Sequence, residues 1–202
     1  GGFDTRFAPA YYEDTDLACE VRKHGYQVLY QPLSVVVHFE GRSNGTDLSE
    51  GQKSYQAVNQ KKFYKKWQDV LKKEHFKNGT NVFAARDRSA KKKKLLVIDH
   101  YVPTYDKDAG SRCMLDYLKL FTAMGYQLKF IGDNFAKQEP YTTTLQQMGI
   151  EVLYGDYYFH HWKEWIRANG SCFDYVLLSR PHISVKYIDL IRTHSHAKII
   201  YF

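Results

Sequence analysis

Two patterns of apolar spacing divide the chain. From Glu13 to His24, Leu17, Ala18 and Val21 recur at three- and four-residue intervals, which predicts a helix that Gly25 caps. Gln27 to Tyr30 and Ser34 to Phe39 are β-rich runs parted by Pro32, so strands are expected there. Residues 1–12 and Gly41 to Gly51 read as loops. The longest helical pattern covers 52–77. Tyr55, Val58, Phe63, Trp67, Val70 and Leu71 can share one stripe, and Lys61, Lys62, Lys65, Lys66, Lys72 and Lys73 fill much of the rest. Asn78 to Lys94 has no apolar period and ends in four lysines, so it reads as a basic linker.

The pattern then changes. Strands are predicted at Leu95 to Asp99, Gln127 to Ile131, Ile150 to Tyr154, Tyr175 to Ser179 and Lys198 to Phe202. Helices are predicted between them at Ser111 to Met124, Tyr141 to Met148, Tyr158 to Asn169 and Ser184 to His194. Gly125 and Gly149 close the first two helices. Short strands alternating with helices imply βαβ units and a parallel sheet.

Composition narrows the class. At roughly 150 residues per domain, the 202 residues allow one large or two small domains. With 44% apolar and 25% charged residues, a disordered or collagen-like chain is excluded. No apolar run approaches the roughly 18 residues of a membrane span. The cysteines, Cys19, Cys113 and Cys172, are odd in number and far apart, which fits a reducing, cytoplasmic compartment. The chain opens on Gly1-Gly2 without Met and closes on an apolar run, so a piece of a longer polypeptide is expected.

Glu13, Asp14 and Asp16 crowd the first turn of the first predicted helix. Carboxylates there offset the helix dipole, and acidic first turns are common for that reason alone. A carboxylate fixed on a rigid element also suits a general base. The wider string tips the balance. Gly1-Gly2-Phe3-Asp4-x-x-Phe7, Tyr12-Glu13-Asp14-x-Asp16-Leu17, Arg22-Lys23-x-Gly25-Tyr26-x-Val28-Leu29-Tyr30-x-Pro32 and Val35-x-Val37-His38-x-x-Gly41 together resemble the C-terminal part of family 2 glycosyltransferases, which have the GT-A fold. The resemblance implies that the Gly1, Gly2 and Asp4 loop lines the acceptor side, with Glu13 and Asp16 also at the substrate. It implies that Asp14 is the base of an inverting transfer and that His38 lies near the metal. The ion would be Mn or Mg, neutralising the departing diphosphate. A His ending a strand also has an ordinary structural reading. The Asn59-x-x-x-Phe63-x-x-x-Trp67 helix is similar to one that often follows that catalytic core, and packing against the first segment is its expected task.

From Leu95 onward, Pro103-Thr104-x-Asp106-x-Asp108-Ala109-Gly110-Ser111-Arg112 resembles the first-strand loop of GT-B glycosyltransferases fused behind GT-A domains in bacterial surface-polysaccharide synthesis. The implied fold is the N-terminal Rossmann-like half of a GT-B domain, which receives the acceptor and needs no cofactor. Asp108, Gly110 and Arg112 are then expected near its cleft; the plain alternative is a surface loop whose Gly110 starts a helix. Neither a Gly-x-Gly-x-x-Gly nor a Walker A string is present.

Asp99-His100, His160-His161 and His194-x-His196 lack a zinc ligand set and read as structural. The Asn-Gly sequons at Asn44, Asn78 and Asn169 read as turns. The expected organisation is α/β: residues 1–77 the end of a GT-A domain with its trailing helix, 78–94 the basic linker, and 95–202 the truncated GT-B half. The expected function is transfer of sugar from a nucleotide-sugar donor to a glycan or lipid-linked acceptor, with peripheral contact at the inner membrane face and no nucleic acid. The rival reading is a non-catalytic α/β module docking through its basic helix to anionic membrane or nucleic acid.

Overall fold

The computed structural model describes residues 2–30, 34–37 and 51–202. The chain forms two compact units, Gly1–Lys72 and Lys73–Phe202.

In the first unit, helix α1 (Glu13–Lys23) lies against helix α2 (Ser54–Glu74). The small core comprises Phe7, Cys19, Phe63 and Trp67, with Tyr12, Val70 and Leu71 packed on it. The buried stripe of α2 is Asn59, Phe63 and Trp67, while Tyr55 and Val58 from the predicted stripe are exposed. A polar residue supplies one turn of the stripe because Asn59 is needed for hydrogen bonds to the facing loop. The two strands expected after α1 differ most from the structure. Residues 26–30 and 34–37 have no regular secondary structure. Tyr30, Val35 and Val36 are each more than 80% exposed. Apolar, β-branched sequence makes a strand only when a ladder partner satisfies its backbone, and the first unit offers no strand among the described residues. Residues 38 and 39 of the second run lie outside the described residues.

The second unit is a three-layer α/β structure. Its strands are β1 (Lys94–Asp99), β2 (Gln127–Gly132), β3 (Glu151–Leu153), β4 (Tyr175–Leu178) and β5 (Lys198–Tyr201). They form one all-parallel sheet in the order β3-β2-β1-β4-β5, as in a Rossmann-like fold. The connecting helices are α4 (Ala109–Ala123), α5 (Tyr141–Gln147), α6 (Asp156–Asn169) and α7 (Pro181–His194), after a short α3 (Val82–Ala85). Alternate residues of β1 serve opposite faces. Leu95 and Val97 pack with Leu115, Leu118 and Leu145 from α4 and α5. Leu96 and Ile98 pack with Ile166, Tyr187 and Ile191 from α6 and α7. Gly125 and Gly149 both sit at φ 82, the left-handed geometry that ends a helix cheaply when no Cβ is present.

Within 78–94, residues from Val82 onward dock on this unit. Phe83 packs into the α6–α7 layer, and Ala84 and Ser89 are buried. The docking is ionic as well. Lys129 of β2 is 3% exposed and lies 4.8 Å from the Phe83 ring centre. It pairs with Asp87 at 2.6 Å and with Glu151 of β3, its register partner, which also takes Arg86 at 2.8 Å. A charged residue inside a strand pattern, met by charges from a segment without apolar period, leaves no hydrophobic signal in either. None of the described helices is long and apolar enough to cross a membrane.

Replacing Lys129 leaves Asp87 and Glu151 facing one another with their common cation gone. Lys129→Ala is expected to cost about 3 kcal/mol, within the range for breaking a buried ion pair. Urea unfolding read from the β2 and β3 amides checks this; a loss under about 1 kcal/mol would mean that the pair is solvent-screened.

Candidate functional site

Two groups of polar side chains stand out, one in each unit.

In the first unit, α2 fastens the loop that leads into α1. Asn59 is fully buried, and its Nδ2 donates to the carbonyls of Phe7 at 2.8 Å, Ala10 at 2.8 Å and Tyr11 at 3.2 Å. Lys62 donates to the Arg6 carbonyl at 2.8 Å. The clamped loop ends in Tyr11 and Tyr12, both at positive φ, 74° and 72°. Such a backbone costs energy in a bulky residue and persists only where its surroundings enforce it. Tyr12 also packs on Phe63, with ring centres 5.4 Å apart. Glu13 and Asp14 follow at once.

The acidic residues of this region then separate by role. Asp16 is 2% exposed. Its Oδ1 accepts from the Trp67 indole at 2.7 Å, and Lys66 Nζ lies 2.7 and 2.9 Å from its two oxygens. Lys66 also reaches Asp4 and Glu20, each at 3.0 Å. Asp4 receives Arg6 as well, at 2.6 to 3.0 Å, and caps the short helical turn at Thr5–Phe7. Glu13 is half-buried, with one oxygen enclosed and unpartnered among the described residues. Asp14 is exposed and, among the described residues, accepts only from Thr15, at 2.6 Å from the amide and 3.2 Å from the hydroxyl. Gly2 and Phe3 line a mostly apolar groove of about 610 Å³ with Leu17, Glu20, Val21, His24 and Tyr26. Of the sequence-predicted residues, Gly2, Asp4, Glu13, Asp14 and Asp16 thus belong to one unit; Gly1 and His38 lie outside the described residues.

Charge explains the titration. Hydrogen bonds from Arg6, then from Lys66, hold the Asp4 carboxyl far below the usual range, and Lys66 lowers Glu20 in the same way. Burial pulls the Lys66 ammonium down, but hydrogen bonds to Asp16, Asp4 and Glu20 outweigh it and raise it above an ordinary lysine. Lys66 pairs with all three of these carboxylates, and Arg6 with Asp4 as well. No group of three or more His, Cys, Asp or Glu side chains suited to a metal occurs among the described residues.

In the second unit the site is the carboxyl edge of the sheet. The chain runs outward from β1 through β2 to β3 and returns to β4 on the other side of β1, so the order reverses between β1 and β4. Loops diverge at such a point and leave a crevice. β1 delivers Asp99 and His100 there, and β4 delivers Ser179 and Arg180. The loop from Tyr101 to Asp108 is pinned rather than free. Val102 is 1% exposed, Tyr141 of α5 donates to Asp106 at 2.6 Å, and Tyr105 meets Thr144 at 3.3 Å. Asp108 caps α4, accepting from the Ser111 amide at 2.8 Å and its hydroxyl at 2.6 Å, with Thr104 and Tyr101 at 3.2 and 3.3 Å. The Ser111 hydrogen bonds lead in lowering its pKa. Gly110 faces the crevice: a Cβ there would lie 3.6 Å from the Arg180 terminal nitrogen. Arg112 is exposed on the first turn of α4.

Arg180, absent from the sequence expectations, joins the two central strands. Its Nε donates to Asp99 Oδ1 at 3.0 Å, its guanidinium lies 5.6 Å from the Tyr101 ring centre, and its amide donates to the Phe202 carbonyl at 2.8 Å. Its backbone stands at φ 75, ψ 142, a glycine-favouring region. His182, one residue past Pro181, meets His100 through ring nitrogens 3.2 Å apart. Asp99-His100, read as structural from the sequence, thus lies in the crevice. The available signal was position: Ser179-Arg180-Pro181-His182 follows the last apolar residue of a strand, where parallel sheets place their ligands.

With this geometry in view, the chain was compared with protein-family models, curated proteins and solved structures, and matched none of them.

The stability of the first unit should depend on pH in a defined direction. Asp4 and Glu20 are depressed, so their contribution is complete above the ordinary values of 3.8 and 4.5 and is lost as pH falls through their lower folded values. Lys66 is raised, so its contribution is complete below 10.5 and is lost only at higher pH. Urea unfolding, followed by the Trp67 indole N–H resonance, should show a plateau between these limits and an acid limb. Lys66→Met should shrink that limb; an unchanged limb would separate the pH dependence from this cluster.

Proposed function

We propose that the chain carries parts of two glycosyltransferase domains, the end of a GT-A domain and the Rossmann-like acceptor half of a GT-B domain. The reaction is transfer of sugar from a nucleotide-sugar to a growing surface polysaccharide or cell-wall glycan. The reading rests on the family resemblance of both segments. One structural observation supports it. Of the carboxylates at the head of α1, Asp16 is buried under Trp67 and Lys66, Glu13 is half-enclosed, and Asp14 alone is exposed. A general base needs this combination of a fixed backbone and an accessible oxygen.

In the proposed step, Asp14 accepts the proton of an acceptor hydroxyl as its oxygen attacks the anomeric carbon. The bond from that carbon to the diphosphate oxygen breaks, the diphosphate departs with the electron pair, and the configuration inverts. The groove lined by Gly2 and Phe3 offers the acceptor an apolar wall on the same helix. None of the three cysteines forms a disulfide, which fits the cytoplasmic side, where nucleotide-sugars are held.

Asp14 and Asp16 separate the chemistry from the fold. In the full-length polypeptide, Asp14→Asn should lower transfer by about 10²- to 10⁴-fold, the usual worth of a general base, with the unfolding midpoint unchanged. Asp16→Asn should lower the midpoint as well, since it weakens the contact to Lys66. Radiolabelled sugar incorporation and thermal unfolding read the two effects. Full transfer by Asp14→Asn would overturn the assignment.

A further inference from the structure

The crevice between β1 and β4 presents more donors than acceptors. Asp99 is 4% exposed, and its Oδ1 already accepts from Arg180 Nε and from the His100 amide at 2.7 Å. Asp108 accepts four hydrogen bonds from Ser111, Thr104 and Tyr101. Both carboxylates are therefore committed within the protein. Arg180 is not equally committed. The buried Asp99 holds it at Nε and Tyr101 lies beneath its plane, so the guanidinium is oriented. Its two terminal nitrogens have no hydrogen-bond acceptor among the described residues, and one of them faces the side-chain-free position at Gly110. The side chain remains 37% exposed, within reach of a ligand. His100 and His182 add two imidazoles from the ends of the same two strands.

An oriented planar fork with open terminal nitrogens matches the oxygens of a phosphate in pairs. A hydroxyl-rich ligand would instead call for open carboxylates, and both here are occupied. We propose that this crevice is a phosphate-binding site, with the Arg180 fork as its principal contact and His100 and His182 at its rim. The ligand class is a molecule bearing a phosphate or diphosphate group. A Cβ at Gly110 would lie 3.6 Å from the Arg180 terminal nitrogen and 3.3 Å from Asp108 Oδ1, so the group would meet the fork on the side away from Asp108. Neutralising Asp99 alone would not explain the arrangement, because a single contact through Nε already does so.

The proposal concerns the second unit and does not depend on Asp14 or on sugar transfer. It is tested by titrating residues 1–202 with inorganic phosphate at low, matched ionic strength. The amide resonances of Gly110, Ser111 and His182 should shift saturably in the millimolar range, while sodium chloride leaves them in place. Arg180→Lys keeps a cation for Asp99, and therefore the fold, but removes the fork; it should weaken phosphate binding about tenfold. His182→Gln, on an exposed turn, should weaken it about threefold with the unfolding midpoint unchanged. Equal titration of Arg180→Lys and the parent chain would overturn the proposal. So would equal shifts with chloride, or shifts confined to Lys163 and Arg167, which line a basic groove between α6 and α7.

Discussion

Leu95 to Ile98 lie between two helical layers, each at most 1% exposed, and the second unit is organised by what that burial forbids. A strand covered on both faces cannot carry an unpaired polar group along its length, because its neighbours and its own ladder leave no water. Chemistry is driven to the strand ends. There the chain supplies Asp99 at the end of β1 and His100 after it, Asp133 after β2 and Arg180 after β4. Even at these ends the acids are held. Asp133 accepts from Lys186 at 2.5 Å and from Tyr187 at 2.7 Å, which ties α7 back to β2. Burial, and then that hydrogen bond, raises the Tyr187 hydroxyl well above an ordinary tyrosine, so it remains a donor at any ordinary pH. Lys129, the one buried cation along a strand among the described residues, obeys the same rule, since Asp87 and Glu151 meet it directly.

The first unit solves a different problem with less apolar material. Among the described residues its core is four buried side chains, and polar contacts are packed around them. Asn59 gathers three carbonyls, and Lys66 gathers three carboxylates. Within α1, about 100° of rotation per residue turns Asp14 and Asp16 to different sides. One is buried and structural; the other is exposed. A single helix turn thereby separates a packing role from an available one without any change of residue type.

Much of the second unit was legible because its signals are local. A four-residue apolar run between Lys94 and Asp99 marks β1, glycines mark the helix ends at Gly125 and Gly149, and the all-parallel sheet follows from alternation. Asp108 was read as a cleft residue and not as a helix cap because the helix was expected to begin at Ser111, two residues later than it does. Arg180 was legible only in part. Its place after the last apolar residue of a strand was a local signal, but which strand ends meet there comes from the reversal of strand order, which no local spacing encodes. In the first unit, the runs at 27–30 and 34–37 have strand composition, but composition does not provide a neighbour to pair with. Asn59 was noted as the start of a motif but left out of the apolar stripe, since a buried amide shows its purpose only against the carbonyls it receives.

Every side-chain hydrogen bond that fastens α2 to the start of the chain is long-range. Asn59 and Lys62 reach back 48 to 56 residues, Trp67 reaches back 51, and Lys66 reaches back 50 and 62. The two helices can form from local contacts, but their union requires closing a loop whose entropy must be overcome before any of these bonds exists. The turn at Tyr11 and Tyr12, strained and held from the far side, belongs to the closed state alone. During synthesis, a nascent chain that has emerged only as far as Lys53 would already contain Asp14 on a nascent helix, yet lack the clamp that orients it. The loop that leads into α1 is therefore fastened only once α2 is in place.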